Sequence, residues 1–119
     1  MKTKEIADKL VAFCREGKFE AAQKELFADD AVSKEPKATA MFPQETKGLP
    51  AIIEKGHKFM ATIEKVHSIT VSDPIATDSV FACTMSLDIT MKGQSRMTMS
   101  ELCVYEVKNG KIVSEHFHM

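Results

Sequence analysis

An α+β fold follows from the order in which two periodicities run along the chain. Helical spacing of apolar residues dominates the first half, broken by one brief strand, and nearly everything after Val66 is strand-like. Helices segregated from a meander of antiparallel strands mark an α+β architecture rather than repeating strand–helix–strand units. At 119 residues and 44% hydrophobic content, the chain suits one domain spanning 1–119, with one core and room for one cavity.

Helix one is predicted over Thr3 to Glu16, where Ile6, Leu10, Phe13 and Cys14 recur on one face and Gly17 supplies the stop. Phe19, Ala22, Leu26 and Phe27 define a short second helix, which Asp29-Asp30 should end in a turn. Ala31 to Glu35 reads as a brief strand, because Pro36 forces extended geometry on Glu35 and cannot donate to a ladder. Lys37 to Lys47 has no period but contains the apolar pair Met41-Phe42, so it is expected to be a flap over something apolar. Gly48 opens helix three, which runs to about Glu64 with Pro50 in its first turn and Ile52, Ile53, Gly56, Phe59, Met60 and Ile63 inward. Turn signals at Asp73-Pro74, Thr77-Asp78, Lys92-Gly93 and Asn109-Gly110 then divide the remainder into four long strands.

In the second of those strands Phe81, Cys83, Met85, Leu87, Ile89 and Met91 share one face, with small polar residues opposite. The third strand is mixed on both faces. A three-residue turn at Lys92-Gly93-Gln94 would align its odd-numbered face with that apolar face, whereas a two-residue turn would invert it; the three-residue turn is favoured. Met85, Met91, Met97 and Met99 then all face inward. Eight methionines in a chain without tryptophan fit a mixture of ordinary core and a cavity adaptable to apolar ligands.

The formal net charge of −1 arises from well-mixed acids and bases, without the basic stripe that nucleic acid or an anionic membrane would require. Neither partner is expected. The N-terminal residues run straight into the first amphipathic pattern, so no secretory leader is predicted, and no apolar run could span a bilayer. Cys14, Cys83 and Cys103 are widely spaced and odd in number, consistent with reduced thiols in a cytoplasmic protein. His116 and His118 share a strand face, but no third ligand follows from the spacing; no metal and no cofactor are assigned.

The stretch from Leu10 to Phe19, the run Leu26-Phe27-Ala28-Asp29-Asp30-Ala31-Val32 ending at Glu35-Pro36, the Gly48 and Ala51-Ile52-Ile53 segment, and the closing Asn109-Gly110-Lys111-Ile112-Val113 together resemble SnoaL-like domains of the nuclear-transport-factor-2-like superfamily. The resemblance implies a cone, the cystatin-like α+β roll, in which a curved antiparallel or mixed sheet is wrapped by the three helices. Its members include ketosteroid isomerases, polyketide cyclases, dehydratases and pure binding or dimerisation modules, so function must be argued from the site.

Glu35 matches the position at which the family's isomerases hold the carboxylate that shuttles a proton. A carboxylate in an apolar cavity suits that task; the competing reading is a strand-end acid paired with Lys34 or Lys37. The isomerases also use a tyrosine on helix one, and here that position is Leu10, which cannot donate. Glu101 lies nearest to their late-strand acid, and Tyr105 shares its face, so the two could supply the missing donors. The expected ligand-binding wall comprises Phe13 from helix one, Met41 and Phe42 from the flap, and His57 and Met60 from helix three. From the sheet it takes Cys83, Met85, Leu87, Met99, Cys103, Glu115 and Phe117. Three readings stay open: an isomerase, cyclase or dehydratase acting on a small apolar molecule; a binding module using the same pocket; or a dimerisation module meeting its twin through Thr84, Ser86, Thr98 and Ser100. A homodimer is compatible with all three.

Overall fold

The computed structural model describes residues 1–119. Three helices, α1 (Thr3–Arg15), α2 (Phe19–Leu26) and α3 (Leu49–Ala61), pack on the concave side of one mixed sheet. Its strands are β1 (Phe27–Lys34), β2 (Glu45–Lys47), β3 (Ile63–Val71), β4 (Ile75–Ala76), β5 (Val80–Met91), β6 (Arg96–Lys108) and β7 (Lys111–His118). The sheet order is β2-β1-β7-β6-β5-β3, with β4 paired to β5. All pairings are antiparallel except β1 with β7, and the sheet is not closed. The fold is therefore α+β, with helices preceding the meander. No helix is long and apolar enough to cross a membrane.

Local chemistry explains the boundaries. Gly17 at φ 73 takes the left-handed conformation that ends α1, while the amide of Lys18 bonds the carbonyl of Phe13. Gly48 at φ 92 caps α3, and Pro50 occupies its first turn, where a missing amide hydrogen costs nothing. The β5–β6 turn is the three-residue one: Cys83 lies opposite Cys103 and Leu87 opposite Met99, so the odd-numbered faces align and look into the cone.

Three predicted features differ. Asp29-Asp30 do not stop the chain in a turn; the strand begins at Phe27 and the pair falls where the β1–β7 register slips between Phe27 and Val32. The reluctance of aspartate to stay in a regular ladder appears as a bulge instead of a turn. The flap also contains a strand, since Glu45 to Lys47 pair with Lys34 to Val32. Helix three stops at Ala61, short of Glu64. Further register shifts in β3–β5 and β6–β7 accompany the curvature, because each bulge adds a residue on one side and bends the strand.

The core lies where α1 meets the sheet: Ile6, Leu10 and Cys14 oppose Phe81, Cys83 and Cys103. Phe81 is fully buried and stacks on Tyr105 with ring centroids 4.8 Å apart. Phe81→Ala should therefore lower unfolding free energy by about 3–5 kcal/mol in urea titration, the range for an aromatic deleted from a core that cannot collapse around the gap.

Candidate functional site

At the other end the helices leave the sheet uncovered, and a cavity of about 920 Å³ opens between the sheet, α2, α3 and the flap. Its volume lies toward the upper end of what small-molecule sites occupy. The wall is largely apolar, but one side is charged.

The end of strand β1 and the extended residue after it deliver two neighbours, Ser33 and Glu35, because residues two apart project together. The amide of Glu35 bonds the carbonyl of Gln44 at 2.7 Å, so the β1–β2 neck fixes the backbone that aims this side chain. Lys55 reaches in from α3. Its Nζ donates to Glu35 Oε2 at 2.9 Å and to Ser33 Oγ at 2.6 Å, and Ser33 Oγ donates to Glu115 Oε1 at 2.7 Å. Four residues from α3, β1 and β7 thus form one hydrogen-bonded chain. The Lys55 side chain is 14% exposed and that of Glu35 26%, while Ser33 is fully buried and Glu115 is 5% exposed, so the ion pair is partly withdrawn from water. The ammonium also lies 5.7 Å from the centroid of the Phe117 ring.

Strand β6 adds Glu101 and Tyr105, two turns of the pleat apart on the inward face. Glu101 has no hydrogen-bond partner within the protein. Burial pushes its carboxyl up to about 7, the charges of Glu35 and Glu115 add to that rise, and Lys55 opposes it. Burial also raises Glu115 to about 6, against the hydrogen bond from Ser33 and the charge of Lys55. Tyr105 is buried, its phenol pushed well above its ordinary value by desolvation, and its hydroxyl opens on the cavity. Three acids therefore share one ammonium in an apolar setting. Two of those acids titrate near neutrality.

Most of the wall expected from sequence is present. Met41 and Phe42 come from the flap, and His57 and Met60 from α3. Met85, Leu87, Met99, Glu115 and Phe117 line it from the sheet. His57 sits at the rim, bonded to Glu20 of α2. Three expected residues are elsewhere. Phe13 is half-buried and packs against the edge of the core, because α1 turns Leu10 and Cys14 toward the cavity instead. Cys83 and Cys103 do have the inward orientation, but they lie at the end of the cone that α1 covers, so they pack as core opposite each other. Met97 shares the aligned face, opposite Ile89, but near the β5–β6 turn it is 39% exposed and does not line the cavity. All three cysteines are free, and burial drives the Cys14 thiol up to about 12.

Glu35 pairs with neither Lys34 nor Lys37. Sequence reasoning missed Lys55 and Ser33, although a signal existed for each. Lys55 falls three residues after Ile52, one before Gly56 and four before Phe59, on the face that helical spacing marks as apolar. Ser33 is two residues before Glu35 on the same strand.

A curved sheet with three helices, enclosing a largely apolar cavity with an acidic wall, defines an α+β cone. The SnoaL-like domain profile matches residues 1–119, and the chain belongs to that family. A proposed SnoaL-like polyketide cyclase from Mesorhizobium loti is similar at 31% identity and TM-score 0.92, covering 100% of both chains. A protein of unknown function with a cystatin-like fold from Xanthomonas campestris superposes at TM-score 0.82 with 19% identity, over 98% of this chain and 89% of that one. A Mycobacterium tuberculosis protein, solved in complex with estradiol-17β-hemisuccinate, superposes at TM-score 0.75 with 17% identity, over 100% and 95%. No curated protein sequence matches the chain.

The raised carboxyls have a consequence for stability. Between the ordinary 4.5 and about 7, folded protein holds protons at Glu101 that unfolded chain has released, so stability falls as pH rises through that window and levels off above it. Glu101→Gln should leave the unfolding free energy at pH 4.5 nearly unchanged and raise it at pH 8 by on the order of 2 kcal/mol, read from urea unfolding at the two pH values.

Proposed function

We propose that the domain binds a small, largely apolar carbonyl compound in the cone and moves a proton next to its carbonyl. The observation that carries this reading is the unpartnered Glu101 carboxyl beside the Glu35–Lys55 ion pair in one apolar cavity. Two acids in contrasting surroundings are what a base and a hydrogen-bond donor require. Glu35, oriented by its hydrogen bond from Lys55, accepts the proton. Glu101 in its protonated form and the Tyr105 hydroxyl donate to the carbonyl oxygen as it gains charge.

Hydrogen–deuterium exchange next to the carbonyl of a panel of apolar ketones tests this. Glu35→Gln should slow exchange by about 10²-fold or more, the usual worth of a positioned base. The wild-type rate should fall as pH rises through about 7, where Glu101 loses its proton, and Glu101→Gln should abolish that alkaline limb. Equal exchange in wild type and Glu35→Gln, with ketone binding intact, would leave a binding module. That alternative draws on Leu10, which lines the cavity where the isomerases carry a donor.

A homodimer belongs to the same proposal. The outer face of β5 and β6 is not covered by any helix; it carries the Ser86–Ser100 hydroxyl pair at 2.8 Å and Leu102, 41% exposed. Leu102→Asp should convert a dimer to a monomer in sedimentation velocity, and a wild-type monomer at micromolar concentration would refute it.

A further inference from the structure

We propose that the cavity has a second compartment between α2 and α3, opened by Gly56, which takes an extended apolar arm of the ligand; the proposal rests on the ketone-binding reading above. Gly56 lies inside α3, at ordinary helical geometry that alanine adopts with less loss of chain entropy. A Cβ built on Gly56 meets no heavy atom within 4 Å. Neither backbone conformation nor crowding therefore demands glycine. The residue does border the cavity, and what its missing side chain leaves there is empty volume.

The surroundings give that volume a shape. Phe19 and Gln23 of α2 and Ile53 of α3 line the same cavity. Glu20 and His57 join the two helices at the rim, and Lys24 holds the other oxygen of Glu20 at 2.9 Å. The helices are tied together while the neighbouring cavity-lining position on α3 is left without a side chain. Lys55 and Gly56 are successive residues, so their directions diverge by about 100° around the helix. The ammonium goes toward Ser33 and Glu35, and the Gly56 side diverges from it. A ligand with its oxygen at the acidic wall would carry an apolar arm along this second direction.

Two fluorescent ketones that differ only in acyl length, the acetyl and octanoyl derivatives of 6-(dimethylamino)naphthalene, provide the test, with binding read from their blue-shifted emission. Wild type should prefer the octanoyl ketone by about tenfold or more, as each buried methylene adds to affinity. Gly56→Leu should erase most of that preference while changing acetyl affinity by less than about twofold. Gly56→Ala, which the open space accepts, should melt a few degrees higher than wild type and lose part of the preference, so a folding defect in the leucine variant does not decide the matter. Full octanoyl preference in both variants would overturn the compartment. Failure of wild type to bind either ketone would overturn the ketone-binding reading itself, and the compartment with it.

Discussion

Lys55 sets the charge balance of the cone. Burying Glu35 and Glu115 without a cation would cost several kcal/mol for each ionised group. One ammonium serves both, directly at Glu35 and through the Ser33 hydroxyl at Glu115, and in doing so ties α3 to β1 and β7. That tie has a second effect. With the cation engaged on the β1 side, Glu101 on β6 is left in the same apolar space with acidic neighbours and no partner. Its carboxyl is raised first by burial and then by the charges of Glu35 and Glu115, and Lys55, engaged elsewhere, offsets only part of that rise.

The second constraint is the unequal cover that three short helices give a long sheet. Strands β5 and β6 extend over twelve and thirteen residues, while α1 covers only the part around Phe81, Cys83 and Cys103. Beyond that point inward side chains face open space, and Met85, Met91 and Met99 occupy those positions. Flexible, polarisable side chains suit a wall that must pack when empty and yield when filled. A rigid β-branched lining would favour one ligand shape.

Much of the fold was legible because its signals are local and periodic. The α1 stripe, the alternation in β5 and the glycines at the turns each state their own geometry, and the three-residue β5–β6 turn carried the parity of β5 across to β6. The site was legible in part. Glu35, Glu101 and Tyr105 do reach the cavity, the first through family position and the others through strand parity. Parity gives direction but not depth: Cys83 and Cys103 point the right way yet lie under α1, and nothing in strand alternation says where a helix ends above it. Lys55 stayed hidden for a different reason. A lysine is discounted on an apolar face because burial of an unpaired cation is costly, and its partners, Ser33 and Glu35, are about twenty residues away. Asp29-Asp30 misled because the same preference that makes a turn in a free chain makes a bulge where β7 holds the strand on one side.

Leu10 sharpens what kind of site remains. In place of a helix-borne donor there is an alkyl side chain, so α1 contributes only apolar surface to the cavity. Apart from the Glu20–His57 pair and its neighbours at the rim, the interior polar groups gather in one set: Ser33 and Glu35 at the end of β1, Glu115 from β7, Glu101 and Tyr105 from β6, with Lys55 reaching across from α3. These strands are neighbours in the order β1-β7-β6, which makes one continuous polar strip along an otherwise greasy wall. Such a strip orients a ligand by one edge. A ketone of the proposed kind would place its oxygen against β1, β7 and β6, since burying that oxygen against Met and Phe without a donor would forfeit the hydrogen bond it makes in water.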